Sequence, residues 1–230
     1  MRSMYAKGKP FRVKAAIFDL DGTLIEFKLR VKDAKLEIIS RLRELGLDSG
    51  NLSPEDSIQT LISKATTIDG IVRKELNEFV RREVFKVMEK FELEAASAPS
   101  PRNDALKTLT SLKSMGIMVA VATNSCRKAA LLALQKCDMT AYVDLVVTRD
   151  DVEKIKPSND LLKKAISLLG VSSEEVVYIG DSTYDVEAAK SMGVTSIAVL
   201  GGVHPEGVLA EKKPDYIIGS LSELLHIIQR

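Results

Sequence analysis

The sequence predicts an α/β fold, a doubly wound parallel sheet with an α-helical domain inserted after its first strand. Three observations carry this prediction. Short apolar, β-branched runs alternate with amphipathic helical segments along most of the chain. Glycines 116, 170 and 193 each follow one of those helical segments, where a C-terminal stop belongs. Residues 26–97 break the alternation and read as helix alone. Near-continuous apolar strands separated by helices imply a parallel sheet covered on both faces.

The first strand is the run Val13-Lys14-Ala15-Ala16-Ile17-Phe18, which ends in Asp19-Leu20-Asp21-Gly22-Thr23. Helical periodicity then marks stretches at about 31–45, 54–65 and 70–91, with no strand between them. Charge in 26–97 is dense but balanced, 13 Lys or Arg against 14 Asp or Glu. A crossover between parallel strands needs only about a dozen residues or slightly more, so this stretch reads as an insertion rather than a connection. Ala95-Ala96-Ser97-Ala98-Pro99-Ser100-Pro101 reads as the linker out of it. The expected domains are therefore a core of 1–25 with 98–230 and a helical cap of 26–97, placed after the Asp tip where it would cover whatever binds there. Beyond the linker, helices at about 102–115, 127–137, 158–169, 184–192 and 221–228 alternate with strands at 117–122, 143–147, 176–179, 195–200 and 216–218.

Composition narrows the function. A chain of 230 residues with 45% apolar and 28% charged residues is ordinary globular material, long enough for a full core. A net charge of +1 gives no footprint for nucleic acid or an anionic membrane, and no apolar run reaches spanning length. The segment Met1–Pro10 has no signal-peptide apolar core. Cys126 and Cys137 sit in no metal or redox motif and read as buried thiols in a reducing cytosol. The expected location is the cytoplasm and the expected state a monomer or homodimer. Asn51-Leu52-Ser53, a glycosylation sequon, carries no weight in such a chain.

Chemistry concentrates where strands end. Asp is depleted in strands, and two like charges 4 Å apart repel by roughly 4 kcal/mol near a surface, so Asp19 and Asp21 call for a compensating charge. A divalent cation is the simplest one. Ligands of open parallel sheets bind outside the carboxyl ends of the strands, and the first four such ends here are polar. The second strand leads into Thr123-Asn124-Ser125, the third into Thr148-Arg149-Asp150-Asp151 and then Lys156-Pro157, and the fourth into Gly180-Asp181-Ser182-Thr183-Tyr184-Asp185. Carboxylates for a hard cation, with hydroxyl and ammonium donors for phosphate oxygens, make an inventory for phosphoryl transfer. Each residue also has a plainer role open to it. Thr123 and Asp181 could cap helices, Asp185 could complement a helix dipole, Asp21 could form a turn, and Lys156 could be a solvated loop lysine.

Taken together and in order, Asp-x-Asp-Gly-Thr, Thr-Asn, Lys-Pro and Gly-Asp-x-x-x-Asp resemble the four motifs of the haloacid dehalogenase-like hydrolases, with a Rossmann-like core. The insertion resembles the cap of the phosphoglycolate phosphatase and β-phosphoglucomutase branch. The resemblance implies Asp19 as nucleophile, Asp21 as general acid and base, and Thr123, Asn124 and Lys156 as phosphate-binding residues. It implies Mg²⁺ held by Asp19, the backbone carbonyl of Asp21 and Asp181, with Asp185 in support. The implied activity is a phosphatase acting through an aspartyl-phosphate on a small phosphorylated metabolite, such as a phosphoglycolate-like compound or a sugar phosphate. Two alternatives stay open, a phosphomutase or phosphotransferase using the same intermediate and a receiver-like signalling domain phosphorylated on aspartate. His204 reads as a loop residue near the site rim, and Lys28, Arg30, Lys32, Arg73, Arg81 and Arg82 as a solvated charged face.

Overall fold

The computed structural model describes residues 13–48, 50–68 and 71–228. The chain divides into two compact units, one made of residues up to 28 with those from 96 onward, the other of 29–95. In chain order β1 (Ala15–Phe18) precedes α1 (Val31–Glu44), α2 (Ile58–Ala65), β2 (Thr67–Ile68), β3 (Ile71–Val72) and α3 (Lys74–Ser97). The larger unit resumes with α4 (Ala105–Ser114), β4 (Met118–Thr123), α5 (Arg127–Lys136), β5 (Leu145–Thr148), α6 (Asp160–Leu169) and β6 (Val176–Gly180). It ends with α7 (Thr183–Ser191), β7 (Thr195–Val199), α8 (Glu206–Glu211), β8 (Tyr216–Ile218) and α9 (Leu224–Ile228).

The sheet of the larger unit has the order β5-β4-β1-β6-β7-β8, with every neighbouring pair parallel. The chain steps outward from β1 through β4 to β5, then returns to β6 on the other side of β1. The order therefore reverses at β1, and the crevice that doubly wound sheets use for ligands opens at its carboxyl end. β1 can be uniformly apolar because both its faces are covered: Ala15, Ala16, Ile17 and Phe18 are all fully buried. Alternate residues share a face, so Ala15 and Ile17 join Ala120, Ala122 and Tyr178 in a core cluster closed by Leu161, Leu162 and Ala165 of α6. Gly116, Gly170 and Gly193 stand at φ +74°, +66° and +66° just past α4, α6 and α7, the left-handed ending that glycine adopts without a Cβ penalty.

The smaller unit has its own apolar cluster. Ala34, Ile38 and Leu42 of α1 and Leu61, Ile62 and Ala65 of α2 pack with Val80, Val84, Met88 and Phe91, which recur at helical spacing on α3. Three expectations for this region are corrected. Strands do occur, since β2 and β3 pair antiparallel. Their sequences, Thr-Ile and Ile-Val, are β-branched, but two residues are too few to show a period of 2. The helix expected from Gly70 begins, among the described residues, at Lys74, and Gly70 itself lies outside them. Its end is also later than expected, because Ala95, Ala96 and Ser97 of the supposed linker continue α3. Alanine is the strongest helix former, and the first proline past these residues comes only at 99. The helix α8 was not expected at all; at six residues it is too short to show periodicity.

Ile17 lies fully buried at the centre of the sheet. Ile17→Ala should lower stability by about 3 kcal/mol through the lost transfer free energy and the cavity left behind. The check is urea unfolding, with a lower midpoint at unchanged slope.

Candidate active site

The first strand stops because its backbone turns back on itself. Asp19 N–H still donates to Ile179 O at 2.8 Å, in line with the ladder to β6. Leu20 O then accepts from the N–H groups of Thr23, Leu24 and Ile25, and Gly22 N–H donates to Ile25 O at 2.8 Å. Gly22 takes φ +87°, and a side chain there would overlap the Asp181 carboxylate. This turn fixes Asp19 in the crevice and brings Asp21 to the second strand end, where Ser125 Oγ donates to Asp21 Oδ2 at 2.7 Å. Ser125 is itself set by its own N–H, which donates to Thr123 Oγ1 at 3.1 Å.

Lys156 is the central cation. Only 5% exposed, its ammonium lies 2.6 Å from Asp19 Oδ1 and 2.7 Å from Asp185 Oδ1. It also donates to Ala122 O at 3.3 Å, at the tip of β4. Its backbone is held by Asn124, whose Oδ1 accepts from Lys156 N–H at 2.9 Å and whose Nδ2 donates to Lys156 O at 3.3 Å. The Lys156–Pro157 peptide is cis. Asp185 divides its two oxygens. Oδ2 accepts from Ser182 N–H and Oγ at 3.0 and 2.6 Å, closing the capping box of α7, while Oδ1 takes Lys156 and, at 3.0 Å, the Tyr178 hydroxyl. Asp181, 1% exposed, accepts from Thr23 Oγ1 at 3.1 Å and from Val203 N–H at 2.6 Å.

The fold thus brings Asp19, Asp21, Thr123, Asn124, Lys156, Asp181 and Asp185 to one sheet edge. Carboxylate oxygens of Asp19, Asp181 and Asp185 lie within 4.8 Å of one another, and the Asp21 carboxylate is not part of that group. The Asn124 side chain is engaged with the Lys156 backbone, and its carbonyl accepts from Arg149 Nη1 at 3.2 Å. The N-caps fall elsewhere: Cys126 caps α5, its Sγ accepting from Ala129 N–H at 3.5 Å, and Ser182 caps α7, whereas Asp185 keeps its place as the first-turn acid of α7. His204 is no idle loop residue, since its Nδ1 accepts from Thr183 N–H at 3.1 Å in the first turn of α7. Lys28 donates to Ala98 O and Ser100 Oγ, and Arg30 pairs with Asp33 and Glu94. Sequence reasoning missed Ser125, Thr23, Tyr178 and Val203. A hydroxyl two residues past Thr123 and another directly after Gly22 were visible signals; Tyr178, inside an apolar strand, and Val203, acting through its amide, left none.

Four carboxylates against one ammonium set the electrostatics. Burial raises Asp19 well above the ordinary carboxylate value, with Lys156 pulling it back down and Asp185 and Asp181 pushing it up. Burial likewise raises Asp21, against the hydrogen bond from Ser125. Asp181 is pushed up to about 6 by burial and then by Asp185. Lys156 loses by burial but gains more from Asp185 and Asp19, so it stays charged well above its usual range. Excess buried negative charge in an all-oxygen donor set is a fit for a small hard cation such as Mg²⁺.

A family model described as haloacid dehalogenase-like hydrolase matches residues 16–199. The pyrophosphatase PpaX of Bacillus velezensis is 30% identical over 218 residues, covering 94% of this chain and 96% of that protein. A phosphoglycolate phosphatase of Aquifex aeolicus is 30% identical over 218 residues, covering 94% and 97%. The crystal structure of a hydrolase from Pseudomonas syringae superposes with a TM-score of 0.65 at 22% identity, over 94% of this chain and 97% of that one.

The folded metal-free protein holds a proton on Asp181 up to about pH 6, whereas the unfolded chain releases it near 3.8. The folded state binds more protons between those values, so its stability falls as pH rises through them. A cation bound through the Asp181 carboxylate would displace that proton. The rise in melting temperature on adding Mg²⁺ should be small at about pH 5, grow towards about pH 7, and disappear in Asp181→Asn. A pH-independent rise would contradict this protonation.

Proposed function

The chain belongs to the haloacid dehalogenase-like hydrolases, and from that membership we propose that it is a Mg²⁺-dependent phosphatase acting on a small phosphorylated metabolite through an aspartyl-phosphate. One observation carries the reading furthest: the two motif carboxylates stand in different environments. Asp19 lies 2.6 Å from a buried ammonium, and Asp21 is bonded to a neutral hydroxyl at 2.7 Å. Environments that separate two carboxylates assign one to nucleophilic and the other to acid–base work.

Ionised Asp19 attacks phosphorus, and the bond to the leaving oxygen breaks as Asp21 gives that oxygen its proton. Asp21, now ionised, takes a proton from a water that attacks the phosphoryl group. The Asp19 carboxylate leaves and inorganic phosphate is released. Lys156, with the Thr123 hydroxyl and the Asn124 backbone, holds phosphate oxygens while its link to Asp19 favours the ionised nucleophile. Mg²⁺, held by Asp19, Asp181 and the backbone carbonyl of Asp21 with Asp185 in support, would supply positive charge against the phosphoryl oxygens. Ser125 orients Asp21, and Tyr178 and Ser182 orient Asp185.

Substrate choice falls to the inserted helical segment 26–97, read as the cap, with 1–25 and 98–230 read as the core. Relatives named pyrophosphatase give a second substrate reading, inorganic pyrophosphate, in which the same proton from Asp21 serves a leaving phosphate.

The test is phosphate release from phosphoglycolate, sugar phosphates, pyrophosphate and p-nitrophenyl phosphate, with Mg²⁺ or EDTA. EDTA should abolish release, and Asp19→Asn should lower it by at least about a thousandfold. Asp21→Asn should cost about 10²–10⁴-fold on alkyl phosphates and far less on p-nitrophenyl phosphate, whose leaving group needs no proton. Full activity in Asp19→Asn would remove the nucleophile from the scheme. Transfer between sugar positions without release would make the protein a mutase.

A further inference from the structure

Asp181 is held by two loops that belong to different parts of the sequence. On one side stand Gly22 and Thr23, the turn after β1; on the other stand Gly202 and Val203, the exit of β7. Thr23 and Val203 each donate to one oxygen of its carboxylate, at 3.1 and 2.6 Å. A Cβ added to either Gly22 or Gly202 would overlap that carboxylate. The width of this slot therefore sets where Asp181 stands.

One side chain ties the two loops together. Arg102, just before α4, donates from Nη1 to Gly22 O at 2.8 Å and from Nη2 to Leu200 O at 2.6 Å. Its own backbone N–H donates to Leu24 O at 3.0 Å, which anchors it to the β1 turn. Leu200 is anchored in turn, its N–H donating to Ile218 O at 2.9 Å beside β8. The next residue, Gly201, has φ +87°, and a Cβ there would come within 3.4 Å of Arg102 Nη2. A planar guanidinium holds two carbonyls at a fixed spacing from two separate nitrogens, whereas an ammonium offers a single nitrogen with rotatable donors.

We propose that Arg102 is a positioning residue for the cation site: its guanidinium clamps the Gly22 and Leu200 carbonyls and so fixes the slot in which Asp181 receives the metal. This rests on the reading of Asp181 as a Mg²⁺ ligand. The guanidinium lines an open cleft of about 920 Å³ together with Gly22, Gly202 and Ser220. Removing it admits water and frees the two loops without opening a hole in the core.

The sign of the effect separates this role from simple electrostatics. A fixed positive charge near a cation site repels the cation, so loss of charge alone would tighten Mg²⁺ binding. Loss of the clamp weakens it instead. Mg²⁺ binding to wild type, Arg102→Ala, Arg102→Lys and Asp181→Asn should be measured by calorimetry in the absence of substrate, with each fold checked by circular dichroism. Arg102→Ala should bind Mg²⁺ about tenfold more weakly, and Arg102→Lys, which keeps the charge but loses the fork, should fall between it and wild type. At saturating Mg²⁺ the KM for p-nitrophenyl phosphate should stay within about twofold of wild type, because the proposed phosphate-binding groups lie on other strand ends. Unchanged or tighter Mg²⁺ binding in Arg102→Ala overturns the clamp, as does Arg102→Lys matching wild type. Should Arg102→Ala not fold, Arg102→Lys decides the matter by the same measure. Wild-type binding by Asp181→Asn would instead overturn the reading of Asp181 as a ligand, a failure distinct from that of the clamp.

Discussion

Confinement of Asp19, Asp21, Asp181 and Asp185 around the single ammonium of Lys156 is the constraint on which the site depends. In a medium of low dielectric this arrangement holds only if every carboxylate oxygen finds a donor, a proton or a cation. The surroundings supply donors in series: Ser125 for Asp21, Thr23 and Val203 for Asp181, Tyr178 and Ser182 for Asp185. What they leave is an excess of negative charge, seen as the upward shifts of Asp19, Asp21 and Asp181. A bound small hard cation would offset that excess.

The sheet makes this confinement achievable. Because the strand order reverses at β1, the ends of β4, β1 and β6 converge without a connection crossing between them. Gly22, Gly180 and Gly202 then let the backbone approach the carboxylates closely, since a Cβ on any of them would overlap Asp181 or Asp185. Glycine gives up stabilising side-chain packing at these positions, and the close approach it permits is what immobilises the acids.

Plain and functional roles are not exclusive. Asp185 closes the capping box of α7 with one oxygen and grips Lys156 with the other, so the helix start and the active site are built by one side chain. Lys28 and Arg30 are exposed charges, as expected, and are also tied to neighbouring chain segments.

The sequence by itself determined the sheet, the insertion and the acidic motif residues, because apolar runs buried on both faces and carboxylates at strand ends are local patterns. Asp19, Asp21, Lys156, Asp181 and Asp185 were legible as a set, because they follow successive strands in order, though each alone had a plainer role open to it. Their partnerships were not. Which oxygen of Asp185 meets Lys156, how Ser125 reaches Asp21, and how Arg102 spans Gly22 and Leu200 depend on groups up to 158 residues apart, as for Thr23 and Asp181. Hydrogen bonds act over about 3 Å, and only the folded sheet brings such residues within that reach. β2 and β3 escaped for a related reason: two-residue strands have no periodicity of their own, and their pairing exists only in three dimensions.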